Sequence, residues 1–216
     1  MDRHIAIPQS APLTAPFSQG GLIIGITGGT GCGKTTLLNL IAECGGLILD
    51  CDAIYHELLA SDASMLAAID SRFPGVVEKG SLNRKKLGSI VFADENALLD
   101  LNRITHAAVR QEVLRRLENA PKLAAIDAIG LFEGNLAELC QVTVAVTAPE
   151  EARIQRLMQR DGISEDYARS RIRAQHSSSW FRERCDHMLE NNENLDVFRN
   201  KCLAFLDTLG IMKENP

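Results

Sequence analysis

The chain has 216 residues, enough for one domain with insertions or for two small ones, and a core of this size needs no disulfides or structural metal. Its 23 Lys and Arg against 28 Asp and Glu give a net charge of −5, which argues against sequence-independent binding of nucleic acid. The longest apolar stretch near the start, Leu22 to Ile26, is far shorter than the roughly 20 residues that span a bilayer, so we expect no membrane segment.

Residues 1–20 contain no apolar segment typical of a secretory signal, and we interpret them as a flexible N-terminal extension. The six cysteines form no C-x-x-C pair and no zinc-ligand spacing with the five histidines. We therefore expect reduced, structural thiols and a cytoplasmic protein.

The first predicted elements form a βαβ unit. Residues 21–27 are a short apolar run bounded by glycine, typical of a strand that is buried on both faces of a parallel sheet. A glycine-rich turn follows, then a helix with apolar residues at 37, 38, 40 and 41, and a second apolar run at 47–49. The crossover between two such strands is almost always right-handed.

Residues 56–121 predict a mostly helical insertion, because apolar residues recur there at helical intervals. Residues 123–126 and 142–147 predict two further buried strands, and Pro149 and Glu150 begin the next helix. The segment 151–184 is rich in arginine, residues 187–189 could form an edge strand, and residues 195–210 predict a closing amphipathic helix. The predicted core thus combines residues 21–55, 122–150 and 185–210.

Residues 28–35, with the sequence GGTGCGKT, match the phosphate-binding motif G-x-x-x-x-G-K-[ST] between a predicted strand and a predicted helix. Glycines allow backbone N–H groups to surround phosphate oxygens, Lys34 adds a charge for the β- and γ-phosphates, and the Thr35 hydroxyl would bind Mg²⁺. The sequence therefore predicts a nucleoside triphosphate site. Its expected cofactor-binding residues are Gly29, Thr30, Gly31, Cys32, Gly33, Lys34, Thr35 and Thr36.

Other motifs indicate what happens to the triphosphate. A guanine-reading N-K-x-D is missing, since the nearest string, Asn200 to Leu203, ends without aspartate. Asp127 follows an apolar run but precedes Ala128, so no adjacent glutamate is available to activate water. Phosphoryl transfer to a bound acceptor remains, which requires a base and a cationic lid.

Asp50 and Asp52 follow the second strand at its carboxyl end, the edge where open α/β sheets bind ligands. One of them could take the proton from an acceptor hydroxyl, while the other could cap the next helix or hold a metal-bound water. Arg153, Arg156 and Arg160 lie on one helix face, which is either a solvated surface or part of a lid. We expect Arg160 and Arg171 to reach the phosphates.

The ordered motifs resemble the dephospho-CoA kinase family over about residues 22–195. Besides the phosphate loop, the resemblance rests on the motifs DCDA at 50–53, GSLNR at 80–84, LNRITH at 101–106, LFE at 131–133, RLMQR at 156–160 and RIRAQ at 171–175. It implies an α/β P-loop NTPase fold of three layers, with a five-stranded parallel sheet, a helical insertion domain that binds the CoA moiety and a helical lid over 151–184. It also implies ATP-dependent phosphorylation of the ribose 3′-hydroxyl of dephospho-CoA.

By position, the resemblance implies that Asp52 is the base, that Lys34 and Thr35 contact phosphate and Mg²⁺, and that Arg160 belongs to the lid. His106, Arg84 and Asp50 are expected on the substrate side. A lone histidine such as His106 could equally be a packing residue, and Trp180 is expected to pack in the core or the lid. Two other functions stay open: a P-loop kinase for another small hydroxyl acceptor, and a nucleotide-binding switch without turnover. The motifs carry no information on oligomeric state.

Overall fold

The computed structural model describes residues 21–211, so the predicted extension at 1–20 lies outside the described residues. The helices and strands follow each other in the order β1 (Leu22–Thr27), α1 (Lys34–Glu43), β2 (Leu47–Asp50), α2 (Cys51–Ser61), α3 (Ala63–Arg72), β3 (Val77–Glu78), β4 (Ser81–Leu82), α4 (Arg84–Val91), α5 (Glu95–Leu117), β5 (Leu123–Asp127), β6 (Val142–Thr147), α6 (Glu150–Asp161), α7 (Glu165–Arg173), α8 (Ser178–Arg182), β7 (His187–Glu190) and α9 (Leu195–Thr208). The four predicted core strands and the edge strand are confirmed.

The main sheet has five parallel strands in the order β2-β5-β1-β6-β7. Strand β1 lies in the centre, with Leu22 paired with Leu123 of β5 and Ile24 paired with Val142 of β6. Because all five strands run in one direction, their carboxyl ends meet at one edge of the sheet. The expected α/β fold with a five-stranded parallel sheet is confirmed.

Successive residues of the strands pack on opposite faces of the sheet, as the pleat requires. Ile23 and Ile126 belong to the cluster with α2 and α5, while Ile24 and Ile26 pack with α1 and α9 on the other face. All four side chains are almost completely buried. The strands are therefore the middle layer of three, and apolar residues on both faces explain their uninterrupted hydrophobic runs.

The segment between β2 and β5 packs around an apolar cluster of its own, which includes Leu59, Ile69, Phe73 and Leu87. It is mostly helical, as predicted, but it also contains the short antiparallel hairpin β3–β4, which the helical periodicity did not indicate. The hairpin turns at Lys79 and Gly80, which both have positive φ. A two-residue turn of this kind joins antiparallel strands without splaying them.

The arginine-rich segment forms α6, α7 and the short α8. Helices α6 and α7 pack against each other through Ile154, Leu157, Ala168 and Ile172. Most helices begin with a side chain that accepts a backbone N–H, as Asp50 does for α2, which compensates for the missing hydrogen bonds of the first turn. Helix α1 is different, because Gly33 precedes it and no side chain caps it.

None of the six cysteines, which all lie within the described residues, forms a disulfide. Burial raises the pKa of Cys51 and Cys140 to about 12, which keeps these thiols protonated and unreactive. Within residues 21–211, none of the helices has the length and apolar character needed to cross a bilayer.

Candidate active site

The phosphate loop connects the end of β1 to the start of α1, at the carboxyl edge of the sheet. Gly28 begins it with a φ of 127°, and a β-carbon at this position would lie 2.1 Å from the carbonyl oxygen of Val146. Both the backbone conformation and the close neighbouring strand therefore require glycine at this position. The tight turn brings the loop directly over the central strands.

Three side chains hold the carbonyl groups of the loop from outside. Arg153 Nε donates to Thr30 O at 2.9 Å, and Arg156 Nη1 donates to Gly31 O at 3.0 Å. Buried Asn191 donates from Nδ2 to Cys32 O, also at 2.9 Å. Because each peptide unit is planar, with C=O and N–H pointing in opposite directions, fixing the Thr30 and Cys32 carbonyls outward turns the amides of Gly31 and Gly33 toward the interior of the loop.

The amides of Gly31, Gly33, Lys34 and Thr35 have no hydrogen-bond partner among the residues that the structure describes. They form an uncapped helix N-terminus, which combines free N–H groups with the positive end of the α1 dipole and so favours an anion.

At three other expected positions, the backbone N–H already donates a hydrogen bond within the protein and is not available to a ligand. Thr30 N–H donates to Gln175 Oε1, Cys32 N–H to Gly29 O and Thr36 N–H to Gly33 O. Thr36 is also outside the set of residues that line the cavity described next.

A cavity of about 530 Å³, the phosphate-loop cavity, lies between this loop and the arginine-rich helices. It brings together most of the predicted site residues: the loop from Gly29 to Thr35, and Asp50, Asp52, Arg160 and Arg171. Lys34 crosses the loop, where its Nζ donates to Gly28 O at 3.2 Å and lies 3.8 Å from Asp127 Oδ1. The cavity thus has cationic groups on two sides and carboxylates at its base.

Asp50 and Asp52 have different environments. Asp50 Oδ1 accepts the backbone N–H groups of Asp52 and Ala53 and so caps α2. The exposed Asp52 carboxylate has no hydrogen bond to another described residue and lines a second cavity as well as the first. Asp52 is therefore the carboxylate that is available to a ligand at the boundary of the two cavities.

Asp127, at the end of β5, lines the phosphate-loop cavity, although its sequence context indicated only that no glutamate follows it. Its Oδ1 is buried and has no hydrogen-bond partner within residues 21–211. Burial raises the pKa of Asp127 to about 6, and the charges of Asp50 and Asp52 act in the same direction against the attraction of Lys34. A buried, unsatisfied carboxylate oxygen in a phosphate cavity is suited to a cation or a bound water.

Arg160 and Arg171 both line the phosphate-loop cavity and share one carboxylate, that of Asp161. Arg160 donates to it from Nε at 2.6 Å and from Nη2 at 3.0 Å, while Arg171 Nη1 donates at 2.8 Å. These hydrogen bonds, with that of Arg160 the stronger, lower the pKa of Asp161 to about 2. Two guanidinium groups are thus kept at the cavity by a single negative charge.

The second cavity, the His106 cavity, has a volume of about 250 Å³ and shares Asp52 and Ile129 with the phosphate-loop cavity. His106 Nδ1 lies 3.3 Å from the Glu133 carbonyl oxygen, which can only accept, so Nδ1 carries the proton. In an imidazole with one proton, Nε2 is then an acceptor, and it lies near Gly130 in the cavity wall.

Arg84 does not line the His106 cavity. It lies in a neighbouring apolar groove of about 210 Å³, the Arg84 groove, which shares Tyr55 and Leu101 with the His106 cavity. Burial raises the pKa of the Tyr55 hydroxyl, and the nearby charge of Arg84 opposes this shift. The three cavities therefore adjoin one another in the order phosphate loop, His106, Arg84.

The residues that sequence reasoning missed are mainly those that support the loop. Arg153 and Arg156 were noted as members of a helix face, but their contacts with the loop carbonyls could not be read from their spacing. Gln175 ends the motif RIRAQ at 171–175, but neither this motif nor the sequence around Asn191 indicates which backbone group the side chain contacts. Asp127 had a detectable signal, because it ends a buried strand next to the strand that precedes the loop.

Comparison with known proteins identifies clear relatives. The family model described as dephospho-CoA kinase matches residues 22–196. A dephospho-CoA kinase from Bacillus licheniformis is 33% identical over 193 residues, which cover 87% of this chain and 96% of the relative. The crystal structure of a Thermus thermophilus protein has a TM-score of 0.74 at 32% identity, over 88% of this chain and 99% of that one. For a Campylobacter jejuni dephospho-CoA kinase the TM-score is 0.59 at 26% identity, over 87% and 96%.

The raised pKa of Asp127 predicts a pH-dependent effect of Asp127→Asn on the metal-free, nucleotide-free protein. The native state retains the proton up to about pH 6, whereas the unfolded chain loses it near its ordinary pKa, so the contribution to stability falls as the pH rises through this window. Asp127→Asn should match the wild type near about pH 4 and be more stable by about 2–3 kcal/mol near about pH 8. Urea unfolding at both pH values measures this.

Asp207→Asn, a change at an exposed position on α9, is the matched control and should leave the pH dependence of the wild type unaltered. A constant difference between wild type and Asp127→Asn at both pH values would show that the buried charge is not what destabilises the protein.

Proposed function

The chain belongs to the dephospho-CoA kinase family, and we propose that its adjoining cavities divide the reaction of that family between them. The reaction is the ATP-dependent phosphorylation of the ribose 3′-hydroxyl of dephospho-CoA, which gives coenzyme A and ADP in the last step of coenzyme A biosynthesis. The position of Asp52 carries the proposal, because this carboxylate lines both the phosphate-loop cavity and the His106 cavity.

ATP is assigned to the phosphate-loop cavity. The four unpartnered amides of the loop and the Lys34 ammonium are donors for the β- and γ-phosphates. They would stabilise charge that develops on the transferred group without having to reorganise. The cavity walls supply these donors from a rigid strand–loop–helix unit, so the phosphates are held in one orientation.

Magnesium is assigned to the same cavity. The Thr35 hydroxyl and the unsatisfied Asp127 Oδ1 fit this ion, which prefers oxygen ligands and is usually held by few protein groups together with phosphate oxygens and water. When bound, Mg²⁺ neutralises phosphate charge. A cation beside Asp127 would also relieve the cost of the buried carboxylate.

Asp52 is proposed as the base that takes the proton of the ribose 3′-hydroxyl. Asp50 is less suited, because one of its oxygens already accepts two backbone N–H groups. His106 offers the Nε2 lone pair to a donor group of the nucleoside part of the acceptor, and so orients it toward Asp52. Binding of the nucleoside part in the His106 cavity therefore places the ribose 3′-hydroxyl beside Asp52, at the boundary with the phosphate-loop cavity.

The rest of the acceptor is assigned to the Arg84 groove. Dephospho-CoA carries a diphosphate followed by a long, uncharged arm, and the groove combines one guanidinium with an apolar wall that includes Leu87, Val91 and the highly exposed Phe92. Arg84 has no carboxylate partner within the described part of the chain, and it begins α4, where a positive charge is unfavourable for the helix dipole. Its charge is thus available for the diphosphate.

Arg160 and Arg171 are proposed to contact the phosphates when both substrates are bound. Each would exchange part of its hydrogen bonding with Asp161 for phosphate oxygens, which a guanidinium can bind in the same bidentate geometry as a carboxylate. A cytoplasmic location is proposed because none of the six cysteines forms a disulfide, and reduced cysteines are typical of that compartment.

Measurement of ADP release on a panel of acceptors tests the function directly. With Mg-ATP, we expect turnover of dephospho-CoA and at most weak turnover of nucleosides or shikimate, because only dephospho-CoA fills the His106 cavity and the Arg84 groove together. Phosphorus NMR of the product should locate the new phosphate on the ribose 3′-oxygen. Preferential phosphorylation of a small acceptor would reject the proposal.

Asp52→Asn should lower kcat by about a hundredfold or more, because the acceptor hydroxyl loses its base. The affinity for ATP, measured by equilibrium titration, should change by less than about twofold, since the phosphate contacts remain. Asp50→Asn is the matched control, because asparagine caps a helix as well as aspartate does, and it should lose about tenfold or less. The reverse order of the two losses would assign the base to Asp50.

Arg84→Gln should raise the KM for dephospho-CoA by about tenfold through loss of the charged contact with the diphosphate, without changing the KM for ATP. Lys85→Gln removes the adjacent exposed charge of α4, which does not line the groove, and serves as the control. Initial rates at varied concentrations of each substrate measure both constants. An unchanged acceptor KM would remove Arg84 from the binding site.

A further inference from the structure

We propose that Gln175 and His176, two consecutive residues that follow α7, are positioning residues that connect the arginine-rich helices to both substrate cavities. Gln175 contacts the phosphate loop, and His176 contacts the loop that supports His106. This inference rests on the assignment of ATP and dephospho-CoA to the two cavities.

Gln175 holds the backbone of the phosphate loop at Thr30. Its Oε1 accepts the Thr30 N–H at 2.9 Å and Arg153 Nη2 at 2.8 Å, while Arg153 Nε donates to Thr30 O at 2.9 Å. The backbone N–H and C=O of Thr30 are thus held by Gln175 and Arg153, whose side chains also form a hydrogen bond with each other. Because this partly buried network pairs both the N–H and the C=O of Thr30, Gln175 sets the orientation of the loop before ATP binds.

The side chains of Arg153 and Gln175 pack closely against the loop at Gly29. A β-carbon on Gly29 would lie 2.3 Å from Arg153 Nη2 and 2.9 Å from Gln175 Oε1. Thr30 itself is buried. A shift of Gln175 would therefore have to move the Thr30 peptide or leave its N–H unsatisfied.

His176 holds the acceptor side through Glu133. Its Nε2 donates to Glu133 Oε1 at 2.5 Å, and its ring stacks on Trp180 with centroids 3.7 Å apart and planes 3° from parallel. The carbonyl group of Glu133 accepts from His106 Nδ1. His176 therefore fixes the residue that orients the imidazole in the acceptor cavity.

Trp180 makes the His176 position rigid. Its indole ring also packs edge-to-face on Phe132, next to Glu133, and lies beneath the Arg184 guanidinium at 4.2 Å. The stacked ring leaves His176 little rotational freedom, so its hydrogen bond to Glu133 keeps a defined direction.

The adjacent positions of the two residues have a kinetic consequence. Loss of the Gln175 contacts should affect the ATP site, and loss of the His176 contacts should affect the acceptor site, although both residues belong to one short segment. If the two side chains only anchored the segment, removal of either would affect both sites together or only the stability of the fold.

The test compares Gln175→Ala and His176→Ala in initial-rate measurements with both substrates varied. Gln175→Ala should raise the KM for ATP by about five- to tenfold and leave the KM for dephospho-CoA within about twofold. His176→Ala should produce the opposite pattern. His176→Gln, which keeps an N–H donor for Glu133, should recover most of the acceptor KM.

Matched controls are Gln155→Ala, at an exposed position of α6, and His187→Ala, at the start of edge strand β7, and neither should alter either KM. Thermal unfolding of each variant excludes loss of the fold as the cause. Equal changes of both KM values, or unchanged KM values in folded variants, would overturn the proposal while leaving the proposed function intact.

Failure of the proposed function has a different signature, because wild-type protein would then not phosphorylate dephospho-CoA at all. The donor half of the inference is still decided in that case by equilibrium titration with ATP alone. Weaker ATP binding by Gln175→Ala than by wild type and Gln155→Ala would support it, and equal binding would reject it.

Discussion

The outward orientation of the loop carbonyls is the constraint on which the active site depends. Arg153, Arg156 and Asn191 hold the carbonyl oxygens of residues 30–32, and planar peptide units then direct the amides of Gly31 and Gly33 into the cavity. The three donors come from α6 and from the residue after β7, so the loop has its geometry only when the arginine-rich helices are packed on the core. The ability of the loop to bind a nucleotide consequently depends on the packing of this segment.

A second constraint comes from the parallel sheet. Strands β2 and β5 are neighbours, so Asp50 and Asp127 end side by side, with Asp52 close behind. Burial raises the pKa of Asp127 to about 6, and the charges of Asp50 and Asp52 add to this shift while Lys34 opposes it. The free protein therefore stores unfavourable charge that a cation and the cationic groups around bound phosphates would relieve, which is a common compromise between stability and function.

The arginines of residues 151–184 show how one composition serves several purposes. Arg153 and Arg156 support the phosphate loop through its carbonyl groups, and Arg160 and Arg171 share the Asp161 carboxylate at the cavity. Arg169 forms ion pairs with Glu150, Glu151 and Glu165 on the surface. Arg153 and Arg160 lie about two turns apart on the same face of α6, yet one contacts the loop backbone and the other a carboxylate. Helical spacing describes the face and does not distinguish these partners.

The amino-acid sequence alone determined the five strands of the main sheet, the mostly helical character of the segment between β2 and β5, the glycine-rich phosphate motif and the acidic pair at the strand end, because each depends on residues close together in the chain. Only the tertiary structure decided that Asp127 is buried, that Gln175 and Asn191 support the loop, and that Arg84 and His106 line separate cavities. These outcomes depend on contacts between segments far apart, such as Cys32 and Asn191, which are 159 positions apart in the sequence, and no local pattern encodes which distant side chain will fill a given gap.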